Sequence, residues 1–146
     1  MKAGPVWFLA GQFGTTECDL TVPPGKWVFF PLANTECSSL EDPPFHGDTA
    51  KEQRDCAKGF ADAINIDELF CEIDGVPVQH LARYRFVSPQ FRFTAPTPWI
   101  FGATGGPGTA VGDGYYLLLV PLSRGSHTLH FGGNGVDTTY HLTVAR

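Results

Sequence analysis

The sequence predicts an all-β fold: a two-sheet antiparallel sandwich, jelly-roll or immunoglobulin-like, with one short α-helix in a connection. Three observations carry that prediction. Eight or nine apolar or alternating segments of strand length recur along the chain, separated by turn residues. Seventeen glycines and twelve prolines accompany only 17% charged residues, a composition of short strands and turns rather than helices. The last third reads as a continuous apolar run, Tyr115 to Val120, then two alternating segments, His127 to Phe131 and Thr138 to Val144, joined by Gly133-Asn134-Gly135. Those turn residues accept positive φ at small cost, which a tight hairpin between right-twisted strands requires. The hairpin sets Leu129, Phe131, Tyr140 and Leu142 on one face and Thr128, His130, Thr139 and His141 on the other.

Taken in order, Pro5 to Gln12 is an apolar strand. Thr15 to Val22 alternates weakly and stops at Pro23-Pro24-Gly25, a turn of fixed φ followed by a permissive residue. Lys26 to Leu32 is the most apolar strand of the first half, expected to end or lie at an edge at Pro31, which lacks a donor. Asn34 to Pro44 reads as loop. Thr49 and Glu52 form a capping box, and Cys56, Ala57, Phe60, Ala61 and Ile64 follow at three-and-four spacing, which predicts a helix over 50–64 with those residues buried. Leu69 to Ile73 turns at Asp74-Gly75 into Val76-Pro77-Val78. Tyr84-Arg85-Phe86 and Phe91-Arg92-Phe93 alternate, so the aromatics face in and Arg83, Arg85 and Arg92 face out. Ala95 to Asp113, rich in Pro, Gly and Thr, reads as a long loop carrying Trp99 and Phe101. Loops of that length without their own structure are often functional.

At 146 residues the chain is read as a single domain, 1–146, able to bury a full core. A formal charge of −5 argues against a nucleic-acid partner, since phosphate binding needs clustered Lys and Arg, and no apolar stretch is long enough to span a bilayer. Eleven of the fifteen carboxylates fall between Glu36 and Asp74, making an acidic side. The four cysteines contain no Cys-x-x-Cys pair, which speaks for disulfides and an oxidising compartment over zinc or redox chemistry, with four buried thiols as the alternative. Of the three connectivities possible, Cys37 with Cys56 and Cys18 with Cys71 is the one favoured here. The apolar run Val6 to Ala10 is too short for a signal peptide, so the chain is expected to be a mature or trimmed form behind a start Met.

Several constellations could carry chemistry. His130 and His141 share the outward face of the hairpin and could hold a transition metal if Asp137 or His46 completed the set, although two ligands are half a site. Calcium could draw on Asn134, Asp137 and the acidic side, but no EF-hand spacing is present. Glu36, Glu41, Asp42, Asp67, Glu68 and Glu72 could supply a glycosidase pair; a solvated acidic face explains them as well. No Gly-x-Ser-x-Gly elbow surrounds any of the five serines, and Ser126 beside His127 points to the opposite face. His127 is expected to be an inward, hydrogen-bonded residue. Trp99 and Phe101 in the loop, with Arg83, Arg85 and Arg92, could bind a sugar ring or an anionic group.

Pro5-Val-Trp-Phe-Leu-Ala-Gly11, Thr21-Val-Pro-Pro-Gly-Lys26 with Phe29-Phe-Pro31, Asp113-Gly-Tyr-Tyr-Leu-Leu-Leu119 and Gly125-Ser-His-Thr-Leu-His-Phe131 resemble recurring blocks of a family of secreted bacterial proteins of unknown function. The resemblance extends over nearly the whole chain and implies export, to the extracellular space or periplasm, and a single domain. It implies no catalytic residues. The functional expectation is therefore a secreted, disulfide-linked module that binds an extracellular glycan or protein without a cofactor. The rivals are a small metal-dependent oxidase or hydrolase, a carboxylate glycosidase, or a structural subunit assembling through sheet edges.

Overall fold

The computed structural model describes residues 4–100 and 104–145. Phe101 lies outside them. Ten strands and one helix follow in order: β1 (Val6–Phe8), β2 (Gly14–Val22), β3 (Trp27–Ser38), α1 (Ala50–Ala61), β4 (Phe70–Ile73), β5 (Val76–Pro77), β6 (Arg85–Val87), β7 (Phe91–Ala95), β8 (Gly106–Leu119), β9 (Gly125–Gly133) and β10 (Val136–Val144). One sheet runs β1-β3-β8-β6, with β7 also paired to β8, and the other runs β10-β9-β4-β5. The fold is the expected all-β two-sheet sandwich with one short helix in a connection. The sheets are mixed rather than purely antiparallel, because β1 pairs with β3 in parallel. β2 also runs beside β10 in the same direction: contacts advance together from Thr16 with Thr138 to the Ala145 N–H on the Val22 carbonyl.

The described residues gather into two compact units, with β3 and β8 passing from one to the other. The first comprises residues up to Ala33, Asn65–Tyr84 and the chain from Tyr115 onward. Its core is apolar. Phe30 of β3 meets Phe131 of β9 with ring centroids 4.4 Å apart, and Val22, Val28, Leu32, Leu129 and Leu142 close around them. Each such side chain stabilises the fold by about 1.5–3 kcal/mol relative to exposure. The β9–β10 hairpin turns on Asn134 and Gly135, at φ 54° and 89°, and pairs Leu129 with Tyr140 and His130 with Thr139, as the alternation predicts. Asp74 and Gly75, at φ 53° and 78°, make the same kind of turn between β4 and β5.

Pro31 lies at a sheet edge, one of its two expected outcomes, and two other expectations in this unit are corrected. β3 continues past Pro31. The Trp27 N–H donates to Pro5 and the Phe29 carbonyl accepts from Leu9, so alternate residues of β3 bond toward β1. Pro31 is next in that series, where β1 has already ended, and its missing donor costs no ladder bond. The run from Tyr115 is buried on one face only, with Leu118 and Val120 exposed. Cys18 and Cys71 are free thiols, not a disulfide. Cys71 sits on β4, opposite Phe131 of β9, while Cys18 sits on β2 beside β10. Three strand spacings separate them, roughly 14 Å at about 4.8 Å each, whereas a disulfide needs Cα atoms within about 7 Å. Burial, with Glu72 nearby, pushes the Cys71 thiol up to about 12.

The second unit comprises Asn34–Ile64 and Arg85–Gly114. Here the expected disulfide Cys37–Cys56 is present and ties α1 to β3. Thr49 and Glu52 make the capping box, each side chain taking the other's backbone N–H. The helix stops at Ala61, short of 64, and turns Gln53, Ala57 and Ala61 inward, while Cys56 and Phe60 are half-buried. The expected loops are largely strand: β3 continues to Ser38, and β8 begins at Gly106. One glycine of β8, Gly108, serves packing. A Cβ at Gly108 would lie 2.7 Å from the Leu40 side chain and 3.0 Å from the Phe93 ring.

Candidate functional site

The interior of the second unit holds Ser38, Glu41, Gln53 and Asp113, all buried and polar. Asp113 on β8 is fully buried and faces Arg85 of β6 through a two-pronged pair, Nε to Oδ1 at 3.0 Å and Nη2 to Oδ2 at 2.8 Å. The planar guanidinium suits such a fork. Arg85 Nη1 also reaches Asp62 Oδ1 at 2.7 Å. This pair inverts the facing predicted for β6: Arg85 turns in, and Phe86 is left 59% exposed. Arg85 is therefore not an open anion site. Gln53 donates to the Gly47 carbonyl at 2.8 Å and Thr109 Oγ1 at 2.9 Å and accepts from Gln90 Nε2 at 3.0 Å. At the break between β6 and β7, where Pro89 offers no donor, Ser88 Oγ accepts the Gly112 N–H at 2.9 Å.

Glu36 and Glu41 are brought into hydrogen-bonding contact, and Ser38 Oγ donates to Glu41 Oε2 at 2.9 Å. Burial first, then the bond to and charge of Glu41, raise the Glu36 carboxyl to about 8. Glycosidases hold their two carboxyls roughly 5–9.5 Å apart to admit a sugar or a water. Carboxyls in contact, as these are, are not spaced as a glycosidase pair.

Over this polar interior lies an open cleft of about 770 Å³ lined by Ser39, Asp48, Arg92, Phe93, Thr94 and Thr109, with Pro107 and Gly108 at its floor. A second, apolar cleft of about 600 Å³ is lined by Phe93 and Thr94 as well, together with Pro98, Trp99 and Ile100. β7 supplies Arg92, Phe93 and Thr94 by pairing with β8 in the register Arg92 to Thr109 and Phe93 to Gly108. Asp48 is oriented by His46, whose Nε2 lies 3.0 Å from Oδ1 while Nδ1 lies 2.7 Å from the Glu41 carbonyl. Those contacts raise the His46 imidazole above its ordinary value, the Glu41 carbonyl foremost. Ser39 Oγ accepts the Thr109 N–H at 3.0 Å. The cleft thus gathers a carboxylate, a guanidinium, hydroxyls and an aromatic ring. Trp99 is half-buried against Phe93, with centroids 6.1 Å apart, rather than standing out on a loop. Of the residues expected from sequence, Arg92 lines the first cleft and Trp99 the second. Arg83 belongs to the first unit, exposed on a 3-10 turn (Leu81–Tyr84).

The expected metal ligands are dispersed among other partners. His130 Nε2 lies 2.7 Å from Asp137 Oδ1, and His141 Nε2 lies 2.5 Å from Glu17 Oε1. Those bonds hold Asp137 below, and His141 above, their ordinary values. Among the described residues no three His, Cys, Asp or Glu side chains converge on one point. Asn134, weighed for calcium, instead locks the hairpin to Asn65 through both atoms of its amide.

Sequence reasoning missed a cluster in the first unit. Asp74 Oδ2 lies 2.8 Å from His127 Nδ1, and His127 Nε2 lies 3.3 Å from Ser123 Oγ and 2.8 Å from the Ser123 carbonyl. Asp74 Oδ1 accepts the Thr128 N–H at 2.8 Å. The imidazole is raised above its ordinary value, by Asp74 first and the Ser123 carbonyl next, and Asp74 is correspondingly lowered. Only the β4–β5 turn brings these residues together, so no local motif announces them. No protein-family model, curated protein or solved structure matches this chain.

Proposed function

We propose that the protein is an exported binding module whose second unit takes a glycan in the cleft formed by Ser39, Asp48, Arg92, Phe93, Thr94 and Thr109. The observation that carries this reading is a pair of adjoining clefts, one polar and one apolar, that share Phe93 and Thr94 of β7. In the polar one a carboxylate and a guanidinium, flanked by hydroxyls, can each bridge neighbouring sugar hydroxyls. In the other, Phe93 and Trp99 offer apolar faces to the C–H face of a pyranose. Sugars present both characters on one ring, so a mixed surface fits them better than a purely apolar partner. The Cys37–Cys56 disulfide supports an oxidising compartment, and no described helix is long and apolar enough to cross a membrane.

A glycan array, followed by titration calorimetry on the best hit, tests the reading. Arg92→Ala and Phe93→Ala are each expected to weaken binding by roughly tenfold or more, about 1.4 kcal/mol. Trp99→Ala is expected to weaken it less, because the ring is already packed. Unchanged binding in Arg92→Ala and Phe93→Ala would remove the cleft from the site.

A further inference from the structure

We propose that Ser123, His127 and Asp74 form a nucleophilic triad in the first unit, able to cleave small carboxylic esters. The order of contacts is that of an acyl-transfer centre: carboxylate to Nδ1 at 2.8 Å, and Nε2 to a serine hydroxyl at 3.3 Å. Each member is held. Asp74 sits in a tight turn at φ 53° and is fixed by the Thr128 N–H, so its other oxygen is aimed at the ring. His127 lies near the start of β9, where Leu142 of β10 faces it, and its ring is largely covered. Ser123 is exposed and open to a substrate. The hydroxyls of Ser126, Thr128 and Thr143 lie on the other face of the β9–β10 hairpin from this ring, so a substrate reaches Ser123 from the exposed loop that carries it.

The Ser123 carbonyl, 2.8 Å from Nε2, gives the device two states. When the imidazole is protonated, Nδ1–H donates to Asp74 and Nε2–H donates to that carbonyl, which leaves nothing to receive the hydroxyl proton. When it is neutral, Asp74 keeps the proton on Nδ1, and the Nε2 lone pair turns to the Ser123 hydroxyl. Ser123 Oγ then bonds to the ester carbonyl carbon as its proton passes to Nε2. The ester C–O bond breaks, and the alcohol leaves with that proton. Water repeats the sequence on the acyl-serine, releasing the carboxylic acid and restoring the hydroxyl. The charged group facing His127 is Asp74 on the turn, while Asp19 of β2 and His141 of β10, the latter bonded to Glu17, lie on the other face of the hairpin. The Asp74 carboxylate favours the protonated ring, so the triad arms as pH rises through the ring's raised value.

The test treats the whole chain with a fluorophosphonate probe between pH 6 and 9, maps the adduct by peptide mass spectrometry, and follows p-nitrophenyl acetate turnover in parallel. A phosphonyl adduct on Ser123 is expected, forming faster as pH rises and absent in Ser123→Ala. Its rate should fall by roughly 10²-fold or more in His127→Gln and Asp74→Asn, with circular dichroism confirming that both remain folded. Ser123→Ala, an exposed conservative change, serves as the folded control if the other two do not fold. No adduct on Ser123 at any pH, or an adduct rate independent of pH in the parent, would overturn the triad.

Discussion

The two units are held together by different physics. In the first, the large buried side chains are Phe30, Phe131, Leu32, Leu129 and Leu142, and Thr138 is the one polar residue among the described residues classed as buried there. In the second, small residues (Ala57, Ala61 and Ala110) and polar ones (Ser38, Glu41, Gln53 and Asp113) occupy the interior, cross-linked by Cys37–Cys56. A hydrophobic core tolerates imperfect partners, because burial is non-directional. A polar interior does not, since each unpaired group costs its full desolvation. The second unit should therefore be specified more sharply and fail more abruptly when one partner is removed. It also carries the cleft.

The largest effect that could break this contrast comes from Arg85→Ala. Removing the guanidinium leaves the Asp113 carboxylate fully buried without its ion-pair partner, which costs about 3–5 kcal/mol. Phe30→Ala, in the first unit, costs a similar amount, about 3–5 kcal/mol, through a cavity. The two differ in rescue. Arg85→Met combined with Asp113→Leu should recover most of the loss, because apolar replacements of a buried pair are often near neutral. Urea denaturation of the single and double variants measures this. A double variant as unstable as Arg85→Ala would show that the pair does more than neutralise a charge.

Next in size is the disulfide. The loop between Cys37 and Cys56 has a sequence separation of 19, so the paired Cys37→Ala, Cys56→Ala variant should lose about 3 kcal/mol in the chain-entropy description. Hydrogen exchange should place that loss in α1 and the adjoining part of β3, leaving β9 and β10 protected. Smaller again is Thr49→Ala, which removes one half of the capping box and should cost about 1 kcal/mol. The same exchange profile should show it as fraying confined to the first turn of α1.

The contrast also explains what was legible in the sequence. Alternation reports the facing of a strand only when apolar means inside. It located the β9–β10 hairpin, with strands two residues short at three of their four ends, and placed Leu129 and Phe131 in the core. The same rule failed at β6, where the buried Asp113 turns Arg85 inward and Phe86 outward. It also left Gln53 unnoticed on a helix whose stripe it took to be Cys56, Ala57, Phe60, Ala61 and Ile64. In β8, Gly106 to Asp113 resembled a loop because of its glycines, of which Gly108 makes room for Leu40 and Phe93 rather than forming a turn. Of the two clefts, Arg92 and Trp99 were visible as an exposed cation and a loop aromatic. Ser39, Asp48 and Thr109 were not, because strand pairing alone brings them beside β7. The triad is likewise a product of long-range topology, since Asp74 and His127 are 53 positions apart, whereas the Glu36–Glu41 contact is local.

The smallest effect is a slope rather than a step, and it tests whether the polar interior has a cost as well as a role. Glu36 holds its proton to about pH 8, while the unfolded chain releases it near 4.5. Between those values the folded state binds more protons than the unfolded one, so stability declines as pH rises and levels off above the folded value. Glu36→Gln cannot titrate and should remove that decline: equal to the parent near pH 4.5, more stable than it at pH 8.5, with half-exposure of the carboxyl keeping the gain modest. His127 contributes a loss of the same sign in the first unit, because its raised folded pKa gives stabilisation that is complete below about 6.5 and disappears as pH climbs through the folded value. The two separate by onset. A melting-temperature series that flattens between pH 4.5 and 6.5 in Glu36→Gln, while its alkaline limb shrinks when His127→Gln is added and keeps the share of His46 and His141, whose imidazoles are also raised, assigns one proton to Glu36 and one to His127; a series unchanged by Glu36→Gln would mean that the Glu36–Glu41 contact is relaxed in solution and that the second unit's interior is less tightly specified than its hydrogen bonds imply.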